Sequence, residues 1–210
     1  MIPAAIVPTW TRHDLLERLL RSWDHPTAHL LIVDNSGRGV MVPDGPWDKV
    51  TVLPMPSNIG VAAAWNLGVK ALPEVPWWLF CSDDVMWPEG SLGQLASVSG
   101  AGWVSLCGSS WAAFTVGASV VDHVGLFDER FYPAYFEDDD YLWRCGRAGV
   151  EVRQQDVARF HEPARTLHTP GAGFDRSTSL AANDALLRRK QENGDVGWSW
   201  DRSRVLKGRW

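Results

Sequence analysis

The acidic tract at residues 137–140 is the part of this sequence whose side chains most directly suggest chemistry. It reads Glu-Asp-Asp-Asp and lies between the aromatic residues Tyr132, Tyr135 and Phe136 and an apolar pattern of helical spacing that begins at Leu142. Adjacent carboxylates repel one another, so a tract placed beside bulky aromatic side chains is more typical of a reaction site than of an acidic tail. The sequence therefore predicts that these carboxylates begin a helix at a functional site.

A second acidic pair, Asp83 and Asp84, directly follows the most apolar stretch of the chain, residues 77–81. Carboxylate oxygens are the ligands that hard cations such as Mg²⁺ and Mn²⁺ prefer. His161 follows another strand candidate, residues 157–160, and is a further candidate metal ligand. Alternatively, the two aspartates lie in a solvated turn that caps the next helix. The histidine, in turn, could be a structural or merely exposed side chain.

The apolar pattern predicts the scaffold that positions these groups. Leucines at 15, 16, 19 and 20 repeat at helical spacing after Thr11, a candidate N-cap, and they separate two continuously apolar runs, 4–7 and 30–33. Fully apolar strands that alternate with helices are typical of a parallel sheet covered on both faces. We predict an α/β fold with a mostly parallel central sheet and helices on both faces. Further strands are predicted at residues 50–53, 77–81, 103–107, 112–116, 150–152 and 157–160.

Ligands of such sheets bind beyond the carboxyl ends of the strands, which places Pro8, Thr9 and Asp34 at the predicted binding edge. Asn58 and Gly60 precede a predicted helix whose first N–H groups could face a diphosphate, with an ordinary turn as the alternative.

The length of 210 residues predicts one domain with a short appendage. We assign residues 1–194 to that domain. Residues 195–210 form a C-terminal tail. Its aromatic and basic side chains suggest either weak contact with a membrane surface or a partner, or a frayed solvated end.

The net charge of −5 argues against nucleic acid as a partner, because no basic stripe precedes the tail. Cys81, Cys107 and Cys145 are scattered in apolar surroundings, which predicts buried free thiols in a reducing compartment. No apolar run approaches the ~20 residues of a membrane-spanning helix, and no signal peptide is recognised. These features together predict a cytoplasmic protein without a transmembrane segment.

Several motifs together resemble those of family 2 glycosyltransferases of the GT-A fold, closest in style to the rhamnosyltransferase-like and galactosyltransferase-like branch. The resemblance extends from about residue 4 to residue 168 and rests on motifs that occur in the family's order. The matching segments are residues 6–12, 33–36, 57–60, 65–68, 82–84, 125–131, 136–141 and 147–149.

The resemblance implies an inverting transfer of a sugar from a nucleotide diphosphate sugar to a hydroxyl of a glycan, a lipid-linked glycan or a protein. It implies that Asp138 is the catalytic base and that Asp84 and His161, with His168 as the second choice, hold Mn²⁺ or Mg²⁺. A helix start favours the ionised form of Asp138, whereas its acidic neighbours raise its pKa. The substrate contacts that it implies are Pro8, Thr9, Arg12, Asp34, Asn58, Gly60, Asn66, Ser82, Asp83 and Glu137. It also implies a nucleotide-binding half at residues 1–100 and a catalytic, acceptor-binding half at 101–168. Separately, Trp111 in the loop at 108–111 is a candidate for stacking against an acceptor sugar.

Ser82 departs from the family pattern, because it stands where the first acid of the Asp-x-Asp motif is expected. One alternative is therefore a degenerate, non-catalytic module that binds a nucleotide sugar or a glycan. Another alternative is a metal-dependent nucleotidyltransferase, which would use Asp83 and Asp84 but leaves Glu137 and Asp138 without a role.

Overall fold

The computed structural model describes residues 1–161, 176–197 and 199–207. Its strands are β1 (Ala5–Thr9), β2 (Thr27–Asp34), β3 (Trp47–Pro54), β4 (Trp77–Cys81), β5 (Val85–Met86), β6 (Val104–Cys107), β7 (Ser110–Gly117), β8 (Val152–Gln155) and β9 (Phe160–His161). Its helices are α1 (His13–Arg21), α2 (Val61–Ala71), α3 (Ser91–Ser97), α4 (Ala118–Val124), α5 (Glu137–Arg147), α6 (Arg176–Asn193) and α7 (Arg202–Leu206).

The central sheet has the strand order β3-β2-β1-β4-β7-β6-β8 and confirms the predicted mostly parallel arrangement. Only β7 runs against its neighbours, because a tight turn at Gly108 joins it to β6 as a hairpin. The chain proceeds from β1 to one side through β2 and β3, and β4 then pairs with the other side of β1. A ligand crevice is expected at this reversal of strand order.

Both faces of the sheet are covered, as the continuously apolar strands predicted. Ile6 and Phe80 pack with α2, α4 and α5 on one face, and Val7 and Leu79 pack with α1 and α3 on the other. The first face has an aromatic centre in which the Trp65 ring meets the Phe80 ring edge-on at 5.9 Å. Burial on both faces explains why alternation of polar and apolar residues is absent from β1 and β4.

Two local features differ from the sequence prediction. Helix α1 begins at His13 and its N-cap is Arg12, so the predicted Thr11 cap was wrong. The Arg12 guanidinium donates hydrogen bonds to Asp14, and the Thr11 hydroxyl is buried without a partner. The strand predicted at residues 157–160 is present only as β9, Phe160–His161, and its two-residue partner β5 was not predicted, because so short a strand shows no period.

The glycine, serine and threonine content of residues 169–179 predicts a loop, and the pattern after it predicts a helix from about residue 180, but helix α6 begins earlier, at Arg176. The predicted loop at 169–179 is thus helical over its last four residues, and residues 169–175 lie outside the described residues, as does His168. Within the predicted tail, α7 is held by Arg202, whose guanidinium donates to the Asp122 carboxylate at 2.7 Å.

Candidate active site

A cavity of about 390 Å³ opens at the carboxyl ends of β1, β2 and β4. Residues 133–138, which lead into α5, form its opposite wall. The structure thus brings together most of the residues that the sequence assigned to the site. Of these, the lining residues are Pro8, Thr9, Asn58, Ser82, Asp83, Asp84, Trp111, Glu137, Asp138 and His161.

Asp84 and His161 meet because β5 and β9 pair beside the cavity. Val85, the residue after Asp84, is in register with His161. The His161 Nε2 atom lies 3.3 Å from Asp84 Oδ1, and that oxygen is buried without a hydrogen bond. An orphaned carboxylate oxygen beside an imidazole nitrogen is a donor pair that fits a divalent cation.

No group of three or more His, Cys, Asp or Glu residues gathers into a metal cluster within the part of the chain that the structure describes. A cation at Asp84 and His161 would therefore take its remaining ligands from substrate oxygens and water, as Mg²⁺ commonly does. The neighbouring carboxylate of Asp83 is oriented by Thr9, whose hydroxyl donates to Asp83 Oδ2 at 2.8 Å.

The start of α5 is set by an unusual backbone conformation. Tyr135 and Phe136 have φ angles of 80° and 70°, which place two consecutive non-glycine residues in the left-handed region. This turn carries the chain from the cavity wall into α5 and leaves Glu137 and Asp138 lining the cavity.

Both carboxyls have raised pKa values. Burial and then repulsion by Asp138 raise the pKa of Glu137 well above its usual value. Burial and then repulsion by Asp139 raise the pKa of Asp138. A carboxylate with a raised pKa is a stronger proton acceptor, so this environment suits a general base.

Replacing Asp139 with asparagine should shift the acid limb of the pH–rate profile to lower pH. A base must be ionised to accept a proton, so activity is lost as pH falls through the raised pKa of Asp138. Removing the Asp139 charge lowers that pKa, although burial still keeps it above its usual value. The measurement is kcat/KM against pH for both proteins. An unchanged acid limb would contradict the assignment of Asp138 as the titrating base.

The fourth acid of the tract has a different environment. Asp140 is fully buried and does not line the cavity. Its Oδ2 atom accepts a hydrogen bond from Arg144 Nε at 2.8 Å, and its Oδ1 atom lies 2.6 Å from Lys190 Nζ. Arg144 also donates to backbone carbonyls ahead of α5. The acidic tract is therefore divided between the cavity and a buried ion network.

Arg12, Asp34, Gly60 and Asn66 do not line the cavity. The buried Asp34 carboxylate instead accepts hydrogen bonds from the Ser36 and Gly39 amides. Burial opposes its ionisation, but the hydrogen bonds outweigh that effect and lower its pKa. Asp34 thus shapes the turn after β2, and it is the next residue, Asn35, that lines the cavity.

Backbone N–H groups at the start of α2 are likewise hydrogen-bonded within the protein. Gly60 has a φ of 86°, and a Cβ atom there would lie 3.0 Å from the Pro133 carbonyl oxygen. That carbonyl accepts a hydrogen bond from the Val61 amide at 2.8 Å, and the Gly60 amide donates to Asn58 Oδ1. These two amides are therefore used to bind the opposite wall and the local turn rather than being left for a diphosphate.

Asn66 is fully buried and joins α2 to the segment before α5. Its Nδ2 atom donates to the Phe127 carbonyl at 2.8 Å, and its Oδ1 atom accepts from the Phe127 amide. Several residues that line the cavity were not among the predicted contacts, and Tyr135, adjacent to the acidic tract, had the clearest signal in the sequence. The others are Trp10, Asn35, Val61, Trp65, Ser110, Ala112, Pro133 and Ala134.

No protein-family profile matches the sequence. A galactofuranosyl glycosyltransferase of Leishmania donovani is 29% identical over 104 residues, which are 47% of this chain and 23% of that protein. This chain is thus matched to less than a quarter of the relative's length.

Two solved structures share the fold. The mannosyltransferase PcManGT from Pyrobaculum calidifontis, in complex with GDP-Man and Mn²⁺, matches with a TM-score of 0.62 at 16% identity, over 90% of this chain and 65% of that one. S. aureus TarS 1–349, in complex with UDP-GlcNAc, matches with a TM-score of 0.63 at 14% identity, over 97% and 69%. The chain therefore has the α/β fold of GT-A-type glycosyltransferases. The sequence relative and the Pyrobaculum protein are glycosyltransferases by name.

Within the described residues, no helix combines the length and apolar character needed to cross a membrane. The three cysteines are buried and free, as predicted.

Proposed function

We propose that residues 1–194 form a glycosyltransferase domain that moves a sugar from a nucleoside diphosphate sugar to an acceptor hydroxyl. The observation that carries this proposal is the charge of the cavity. Asp83, Asp84, Glu137 and Asp138 line it, and none of its described lining residues is Lys or Arg. A diphosphate can enter so acidic a cavity only when a cation offsets the repulsion, so the activity is proposed to depend on a divalent cation.

Asp84 and His161 are the residues that would hold Mn²⁺ or Mg²⁺. The bound cation would stabilise the negative charge that develops on the diphosphate as it leaves. The presence of Mn²⁺ and GDP-Man in the complex of the Pyrobaculum mannosyltransferase supports this assignment. Asp83, oriented by Thr9, is placed to accept hydrogen bonds from donor hydroxyls, and Pro8 and Asn35 line the part of the cavity nearest β1 and β2.

Asp138 is proposed to act as the general base. Its carboxylate accepts the proton of the acceptor hydroxyl while that oxygen forms a bond to the anomeric carbon. The bond from the anomeric carbon to the phosphate oxygen breaks, and the nucleoside diphosphate leaves with the electron pair. Attack from the face opposite the leaving group inverts the anomeric configuration.

A second cavity is the proposed binding site of the acceptor. Its volume is about 200 Å³, and it shares Tyr135, Glu137 and Asp138 with the first cavity. Its other lining residues are Phe136, Asp139 and Leu180. An aromatic wall among carboxylates suits a neutral sugar better than an anionic group, so we favour a glycan acceptor.

The galactofuranosyl relative favours the galactosyltransferase-like branch, and the buried free thiols favour a cytoplasmic setting.

Thermal unfolding with UDP, GDP, dTDP and CDP, each with and without Mn²⁺, tests this proposal. We expect one nucleotide to raise the melting temperature only when Mn²⁺ is present. Saturation at ~100 times the dissociation constant contributes about 2.7 kcal/mol, which is roughly 5–10 °C for a chain of this size. Replacing Asp84 with asparagine should remove this shift, whereas Asp44→Asn, at an exposed carboxylate away from the cavity, should retain it.

The possible outcomes separate the alternatives. An equal shift without the cation would contradict metal dependence, and no shift with any nucleotide would favour a glycan-binding module. Incubation with the matching nucleotide sugars should release nucleoside diphosphate, whereas release of pyrophosphate would indicate a nucleotidyltransferase.

A further inference from the structure

The segment that carries Glu137 and Asp138 into the cavity has a conformation that needs external support. Tyr135 and Phe136 are both in the left-handed region, which is unfavourable for residues other than glycine. Such a conformation persists only where the surrounding structure holds it.

One side of this segment is attached to the start of α2. The Val61 amide donates to the Pro133 carbonyl at 2.8 Å, and the Tyr132 hydroxyl donates to the Asn58 carbonyl at 3.0 Å. These bonds fix the residues before the left-handed turn, but they do not reach the turn itself.

Asn183 of α6 reaches the turn from the other side. Its Nδ2 atom donates to the Ala134 carbonyl at 2.9 Å and to the Tyr135 carbonyl at 3.1 Å. Its side chain is 4% exposed and does not line the cavity. Two successive carbonyls that accept from one amide group are held in a fixed relative orientation, and Tyr135 is the first of the two left-handed residues.

The face of α6 that carries Asn183 also holds this helix against α5. Lys190 lies seven residues after Asn183, which is about two helical turns, so both side chains share one side of the helix. The Lys190 ammonium lies between Asp128 and Asp140 and is 1% exposed. The spacing between α5 and Asn183 is thus set by a buried ionic contact.

We propose that Asn183 is a positioning residue that sets the Tyr135–Phe136 turn and thereby the placement of Asp138 relative to the bound acceptor. This inference rests on the proposed function. Asn183 touches no substrate in this scheme, and it acts through the backbone carbonyls of the cavity wall. A change at Asn183 should therefore alter the chemical step more than the binding of nucleotide and cation, which contact other walls of the cavity.

The test compares Asn183→Asp with the wild type. Aspartate has nearly the same shape, but it replaces the NH2 group, which supplies both N–H donors, with one carboxylate oxygen that repels the two carbonyls. Asp184→Asn is the matched control, because it makes the reverse change at the next residue, whose carboxylate is exposed and pairs with Arg188. A displacement of about 1 Å at a reacting group can reduce rate by ~10²-fold, so we expect kcat to fall roughly 10- to 100-fold in Asn183→Asp.

Binding and pH dependence distinguish positioning from general loss of structure. We expect the Mn²⁺-dependent melting shift with nucleotide to remain in Asn183→Asp and the acid limb of its pH–rate profile to move. Asp184→Asn should keep the wild-type kcat and profile. Should Asn183→Asp fail to fold, Asn183→Ala is tested in its place, and we again expect kcat to fall. A folded variant with wild-type kcat would overturn the inference while leaving the proposed function intact.

A wild type that transfers no sugar would instead contradict the proposed function. Amide hydrogen exchange over residues 134–138 would then decide the inference separately. Asn183→Ala must accelerate exchange in that segment relative to Asp184→Asn, and equal exchange in the two variants would overturn the inference.

Discussion

Replacing Asp138 with asparagine should reduce turnover by about 10²–10⁴-fold, which is the usual contribution of a general base. Asparagine keeps the size of the side chain and removes its ability to take up the acceptor proton. The proposed contacts of the nucleotide and the cation, Asp83, Asp84 and His161, lie on another wall of the cavity, so binding of both should persist. The measurement pairs initial rates with the Mn²⁺-dependent melting shift for the wild type and the variant.

Asp44→Asn serves again as the control, because its exposed carboxylate lies outside the cavity. A rate near that of the wild type in Asp138→Asn would show that another group accepts the proton. Glu137 would then be the next residue to test, because its buried Oε2 atom has no hydrogen-bond partner.

Replacing Lys190 with methionine should destabilise the protein by about 3–5 kcal/mol, the usual effect of removing one partner from a buried ion pair. Lys190 Nζ lies 2.5 Å from Asp128 and 2.6 Å from Asp140, and all three side chains are almost fully buried. Methionine fills a similar volume but removes the positive charge that pairs with the buried carboxylates of Asp128 and Asp140. The measurement is the free energy of unfolding by chemical denaturation at neutral pH.

Lys70→Met makes the same substitution in an exposed pair, in which Lys70 lies 3.5 Å from Glu129. Such surface pairs contribute about 0–1 kcal/mol, so this control should change stability little. An equal effect of the two substitutions would show that the buried network does not hold α6 against α5.

The pH dependence of stability provides an independent check of the same network. Burial opposes ionisation of Asp128, but hydrogen bonds from Arg130 and Lys190 outweigh it and lower the pKa of Asp128. A carboxyl with a lowered pKa contributes stability above its unfolded pKa, and that stability is lost as pH falls through the folded value. This acid-dependent loss should be smaller in Lys190→Met, because one of the two cations that favour the ionised form is gone.

Much of the fold could be predicted from local pattern. The bounds of β4, Trp77–Cys81, agree with the apolar run, because a strand buried on both faces shows no polar interruption. The start of α5 at Glu137 was also predicted, and Gly149 follows its end with a φ of 68°. The direction of β7 was not specified by sequence pattern, because an apolar run has the same composition in parallel and antiparallel strands.

Spacing along the chain was enough to predict the fold class, the approximate positions of the main strands and helices, and the two acidic segments that meet at the cavity. Residue types reveal these properties directly. The tertiary structure was needed to show which carboxylates line the cavity, because burial and charge partners depend on distant segments. It placed Asp138 in the cavity and Asp140 against Lys190, 50 residues away in the chain. It likewise joined Asp84 to His161 through two strands too short to leave a periodic signal.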